Sequence, residues 1–154
     1  MPRSKPARKP YRPRHVATNA TDIAINNVHQ LARKDAHDHA KLLRIALAEF
    51  QRGHDADIHW RSLADAANVA ETLAAMGIGS GAQAQHIIQR AQQVLHDVAV
   101  RHQQRGTWAL RNTEQDAELD ALQWLLSLHS TQLSKCDYSE FSRAMDRTQN
   151  RIAQ

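Results

Sequence analysis

Residues 118–133 read "ELDALQWLLSLHSTQL". Leu119, Leu122, Leu125, Leu126, His129 and Leu133 recur at steps of three and four, the spacing that gathers side chains on one face of a helix. This is the strongest apolar stripe in the chain, and it needs other helices to cover it. No segment of real length alternates at period two, so the stretch and its neighbours predict an all-α fold.

The segments on either side repeat the pattern. Thr113 followed by Asp116 has capping-box spacing and predicts that this helix starts near 113, with the acidic run Glu114, Asp116, Glu118 and Asp120 in its first turns, where negative charge suits the helix dipole. Upstream, Ile87, Ile88, Ala91, Val94, Leu95 and Val98 predict a helix over 82–104 that Gly106 closes. Before it, Trp60, Leu63, Ala66 or Ala67, Ala70, Leu73 and Ala74 predict one from Asp55 or Asp57 to Met76, ended by the "GIGSG" turn. Its small residues suggest close approach to another helix. Leu42, Leu43, Ala46, Leu47 and Phe50 form a stripe on a helix expected from Asp35 to Arg52, with Gly53 at its C-terminal position. A weaker stripe of Ala24, Val28 and Leu31, after a cap at Thr21–Asp22, predicts a separate short helix over 19–33. A last short helix from Ser139 carries Phe141, Met145 and Ile152. The expected fold is a compact bundle of about five helices plus a short C-terminal one, forming a single domain over 19–154 behind a flexible basic tail over 1–18.

Composition supports this architecture. The chain has 154 residues, 42% of them hydrophobic, enough for one domain with its own core. All 4 prolines (Pro2, Pro6, Pro10 and Pro13) precede residue 14, which suits helices and not the turns of a sheet. The formal net charge of +4 is divided unevenly. Arg3, Lys5, Arg8, Lys9, Arg12 and Arg14 stand in a leader with no acid, leaving 14 basic against 16 acidic residues in the body. A proline-punctuated basic leader of this kind is expected to be extended and disordered, and it reads as an interaction arm.

Catalytic chemistry finds little support. Cys136 is the only cysteine, which excludes an intramolecular disulfide and any cysteine-based metal site. His37 and His39, two residues apart, fall on different faces of a helix. Asp55 and His59 have a metal-compatible spacing, with His54 nearby, but no further ligand motif accompanies them. "GIGSG" lacks the lysine and the preceding strand of a phosphate loop, and neither Ser80 nor Cys136 has the neighbours of a nucleophile. Trp60, Trp108 and Trp124 are expected as core or interface anchors more than as platforms for bases. The expectation is therefore no enzyme, no cofactor and no metal, in a chain without a signal peptide or membrane span, located in the cytoplasm.

"HWRSLADAANVAETLAAMGI" (59–78) and "GTWALRNTEQDAELDALQWLLSLHSTQLS" (106–134), behind the leader "RKPYRPR" (8–14), resemble a group of small helical proteins of bacteriophages, prophages and related mobile elements. The likeness would cover nearly the whole chain, but it rests on packing motifs, so it implies a context (an accessory protein in a bacterial cytoplasm) and carries over no site residue.

Two functions stay open. In the first, the arm binds nucleic acid nonspecifically, with Arg3, Lys5, Arg8, Lys9, Arg12 and Arg14 on phosphates. No helix carries a clustered basic face, so groove reading by a recognition helix is not expected. In the second, the bundle is a protein–protein module that modulates or inhibits a host complex, and self-association stays open beside it. The working surface discriminates them: the arm for the first, an exposed apolar patch on the bundle for the second.

Overall fold

The computed structural model describes residues 20–113 and 116–152, with side chains over 34–111 and 117–151. The basic arm lies outside the described residues. Five helices follow in order: α1 (Ala20–Arg52), α2 (Ala56–Ala75), α3 (Ala82–Arg105), α4 (Glu118–Lys135) and α5 (Tyr138–Ile152). The fold is all-α, apart from a two-residue antiparallel pairing of β1 (Asn112–Thr113) with β2 (Asp116–Ala117) just before α4.

Two boundaries differ from the sequence reading. The expected break between residues 33 and 35 is absent, and α1 runs unbroken for 33 residues, about 50 Å at the helical rise. "LARKDAHDHAK" contains no glycine or proline, so Asp35 has no reason to act as a cap when the chain can continue its own i→i−4 ladder. The expected helix start at Thr113 is also displaced. Thr113 pairs across the ladder with Asp116, and α4 starts at Glu118.

What sets that start is a buried charge. Arg101 of α3 donates from Nη1 to Glu118 Oε1 at 2.9 Å and from Nη2 to Oε2 at 2.7 Å, and the Arg111 backbone N–H donates to Oε2 at 2.6 Å. Arg101 Nη2 also reaches the Ala109 carbonyl at 3.0 Å. Residues 109–111 are thereby folded back across the first turn of α4, and the carboxylate becomes a structural junction and not a surface charge.

Helix α2 is central, touching each of the other four. Its alanines explain this: Ala66, Ala67 and Ala70 are buried and let backbones come close. The chain leaves α2 through a Schellman turn, in which the Ile78 N–H donates to Leu73 O and the Gly77 N–H to Ala74 O. Gly77 takes the left-handed conformation (φ 86°) that the turn requires. Two residues on, Gly79 is held against α4, where a Cβ would stand 2.7 Å from Gln132 Cγ.

The core has two parts. The larger gathers Leu47 and Phe50 of α1, Leu63 of α2, Val94 and Val98 of α3 and Leu122, Leu125 and Leu126 of α4. The smaller, at the α5 end, gathers Val69, Leu73, Leu133 and Ala144, with Ile78, Phe141 and Met145 against them. No helix among the described residues is long and apolar enough to cross a membrane.

Candidate docking groove

The sequence reading places Leu42 inside, on the stripe with Leu43 and Leu47. The structure turns it outward: Leu42 is 63% exposed. Leu43, Leu47 and Phe50 occupy the core side of α1, and Leu42 lies about 100° round the helix from Leu43. Ile45, one turn on, is 47% exposed, and Ile58 on α2 is 56% exposed. These three are the exposed large aliphatic side chains among the described residues, and all line one groove.

The groove lies between α1 and α2 and has a volume of about 420 Å³. Leu43 and Ala46 from α1 and Ala66 and Val69 from α2 form its floor, and Met145 of α5 closes one end. Its polar lining is limited to His39, His59, Ser62 and Asp65. Asp38 stands one turn before Leu42 on α1 and Lys41 one turn before Ile45, while Asp35 lines a separate recess with Cys136, Asp137 and Tyr138. Asp38 and Lys41 are both at the surface, as Arg61 is on the α2 side. The result is an aliphatic channel whose one lining carboxylate is Asp65, with exposed charges of both signs around it.

At the α5 end, His39 leads inward to an unusual polar group. His129 of α4 is fully buried, and neither ring nitrogen has a hydrogen-bond partner among the described residues. Its ring meets His39 edge-on at 5.6 Å, and His39 meets Phe141 in the same way at 5.6 Å. Burial pushes the His129 pKa down to about 4, assisted by the charge of His39 and opposed by Gln132. Burial also lowers the pKa of His39. Gln132 donates from Nε2 to Ala70 O at 3.0 Å and to Ile78 O at 3.1 Å, fastening α4 both to α2 and to the turn that follows it.

The remaining sequence candidates are dispersed. His54 Nδ1 lies 2.9 Å from Glu49 Oε2, and that contact is the leading cause of a lowered Glu49 pKa. Asp55 is the left-handed residue before α2, its carbonyl accepting from the Ile58 and His59 N–H groups. His59 lines the groove, and His37 is a surface side chain. Among the described residues no three His, Cys, Asp or Glu side chains converge as metal ligands would. Half-buried Cys136 has a raised pKa, through burial first and Glu140 second.

The tryptophans separate by role. Trp60 donates from Nε1 to Leu95 O at 2.9 Å and packs against Trp108 with ring centroids 5.3 Å apart. Trp108 stacks on His102 at 4.1 Å. Both are anchors, as the sequence suggests, with Trp108 pinning the segment before α4 to α2 and α3. Trp124 takes no part in this packing.

The sequence reading does not single out Leu42, Ile45 and Ile58 as a surface, although Leu42 and Ile45 stand three apart and form a second apolar track on one helix. No family model, curated protein or solved structure matches this chain.

Proposed function

We propose that the bundle is a non-enzymatic docking module whose α1–α2 groove receives a helix of a partner protein. The observation that supports this is the confinement, among the described residues, of the exposed large aliphatic side chains to one channel. Monomeric proteins keep such surface small and scattered, and burying each Leu or Ile side chain is worth about 1.5–3 kcal/mol. A channel between two helices suits an amphipathic helix, read at i, i+3 and i+4 positions. Asp65, the carboxylate in the channel lining, favours a basic residue beside the apolar stripe of that helix. For an accessory protein of a mobile element, the kind of context the sequence resemblance implies, a helix of a host complex is a fitting occupant.

The test uses two synthetic helical peptides with the same leucine stripe, one flanked by lysines and the other by glutamates, titrated calorimetrically into the full chain. The lysine peptide should bind, the glutamate peptide should bind at least tenfold more weakly, and Leu42→Asp with Ile45→Asp should abolish binding. Equal binding of both peptides, or binding that survives the double substitution, would overturn the proposal. So would a concentration-dependent dimer that the double substitution dissolves, which would give the groove to a second copy.

A second reading rests on a separate observation, the six cations and no acid among the first 14 residues. In it Arg3, Lys5, Arg8, Lys9, Arg12 and Arg14 contact phosphates, with a log–log salt slope no steeper than about −5. Replacing Arg8, Lys9, Arg12 and Arg14 together with Ala should flatten that slope and weaken binding to all sequences alike. An unchanged slope would remove this reading and leave the groove reading intact.

A further inference from the structure

Trp124 is 62% exposed on α4 and borders a recess that shares no residue with the α1–α2 groove. This recess, shallow and of about 270 Å³, lies between α3 and α4, with Gln83, His86, Ile87 and Arg90 on the α3 side and Ala121 beside the indole. It contains an aromatic face, an aliphatic floor, one guanidinium and one imidazole, and no carboxylate lines it. Arg90 is exposed and enters no ion pair among the described residues, unlike Arg52, Arg101 and Arg151, which pair with Glu49, Glu118 and Glu71.

We infer that this recess is a platform for an unpaired base of a single-stranded nucleic acid, with Trp124 stacking on the base and Arg90 and His86 facing the adjoining phosphates. Three features carry the assignment. A large indole in water is free to offer its face, whereas Trp60 and Trp108 spend theirs on each other and on His102. Stacking on an aromatic ring beside a cation is the sequence-tolerant way to hold single strands, because every base has a π-face. The charge of the lining, from Arg90, is positive and complementary to a phosphate, whereas the lining of the other groove carries Asp65. A duplex buries its base faces in its own stack and cannot use the indole. Phosphate binding by the arm would involve neither the body nor the bases, and the recess engages both. Asp120, one turn before Trp124 on the same face of α4, limits the attraction and gives a second handle on it.

The test is tryptophan fluorescence of the full chain titrated with a twelve-nucleotide oligothymidylate at low salt, and with a duplex of equal length. The single strand should quench the emission and the duplex should quench little. Trp124→Leu should lose the quench and weaken single-strand binding about tenfold, while Trp124→Phe retains much of the affinity. Arg90→Gln should weaken binding several-fold, and Asp120→Asn should strengthen it. Leu42→Asp with Ile45→Asp should bind the oligonucleotide as wild type does, so that this inference and the groove proposal fail separately. Replacing Arg8, Lys9, Arg12 and Arg14 with Ala should lower affinity for single strand and duplex together and preserve the Trp124-dependent difference. Unchanged oligonucleotide affinity in Trp124→Leu, equal quenching by duplex, or no binding at low salt would overturn the inference. Self-association lost on Trp124→Leu with oligonucleotide binding intact would assign the face to a protein contact instead.

Discussion

The α1–α2 face and the α3–α4 face are both open channels between neighbouring helices of one bundle, yet their chemistry is opposite. One is aliphatic, Leu42, Ile45 and Ile58 over a floor that includes Ala46 and Ala66, with Asp65 in its lining. The other is aromatic, Trp124 beside Arg90 and His86. Their supports also differ. Where α3 meets the start of α4, Glu118 and Arg101 form a buried pair with its hydrogen bonds made. Behind His39 at the end of the α1–α2 face, His129 is buried with both ring nitrogens unmet among the described residues. A shared helical scaffold thus presents two surfaces of different chemistry, over polar groups that are satisfied under one and unmet under the other among the described residues.

The largest expected effect breaks the stronger support. Glu118→Ala leaves Arg101 buried without its counter-ion and the Arg111 N–H without its acceptor, which should cost about 3–5 kcal/mol in urea unfolding. A loss below about 1 kcal/mol in that measurement, the range of exposed pairs, would mean the pair is a surface contact and the two supports are alike. Next is Leu122, which has no exposed surface and belongs to the core under both faces. Leu122→Ala should cost about 2–5 kcal/mol and lower the melting temperature without selecting one face over the other.

The third prediction is specific to the α1–α2 side. Unfolded His129 takes up a proton near the ordinary histidine pKa of 6.5, whereas the folded group resists until about 4. Its contribution to stability is therefore fully present above pH 6.5 and is lost as pH falls through the interval down to 4, by about 3 kcal/mol in all. His39, shifted in the same direction by burial, adds to the loss. His129→Leu should flatten the stability profile between about pH 7 and pH 4. A profile as steep in the variant as in the wild type would show that other groups carry the acid sensitivity. Smaller again is Thr148→Val, which removes one side of the Thr72–Thr148 hydroxyl contact of 2.8 Å between α2 and α5. It should cost about 1 kcal/mol in the same unfolding measurement. Smallest of all, Leu42→Ser should change stability by no more than about 0.5 kcal/mol, because an exposed side chain has little burial to lose.

These supports and surfaces are unequally legible in the sequence. The stripe Leu122, Leu125, Leu126, His129 and Leu133 reads directly as a buried helix face, and "GIGSG" and Gly106 mark helix ends that backbone conformation confirms. Sequence alone divides α1 in two because Asp35 has the chemistry of a cap, and only the continuous hydrogen-bond ladder decides otherwise. It starts α4 too early because Thr113 and Asp116 have capping-box spacing, while the carboxylate that organises the junction, Glu118, meets Arg101 17 residues away in sequence. It places Leu42 in the core because two adjacent leucines do not reveal which one faces out until α2 is in place. Trp124 follows the same logic: its exposure depends on which face of α4 the other helices leave uncovered.

Whether the α1–α2 channel binds a basic amphipathic helix is measured most directly by the affinity of the lysine-flanked peptide for three chains: the wild type, Leu42→Asp with Ile45→Asp, and Trp124→Leu, with melting temperature recorded for each. A docking channel predicts loss of peptide binding in the aspartate variant at an unchanged melting temperature, and wild-type binding in Trp124→Leu. Peptide affinity that survives Leu42→Asp with Ile45→Asp, or that falls with Trp124→Leu instead, would contradict it.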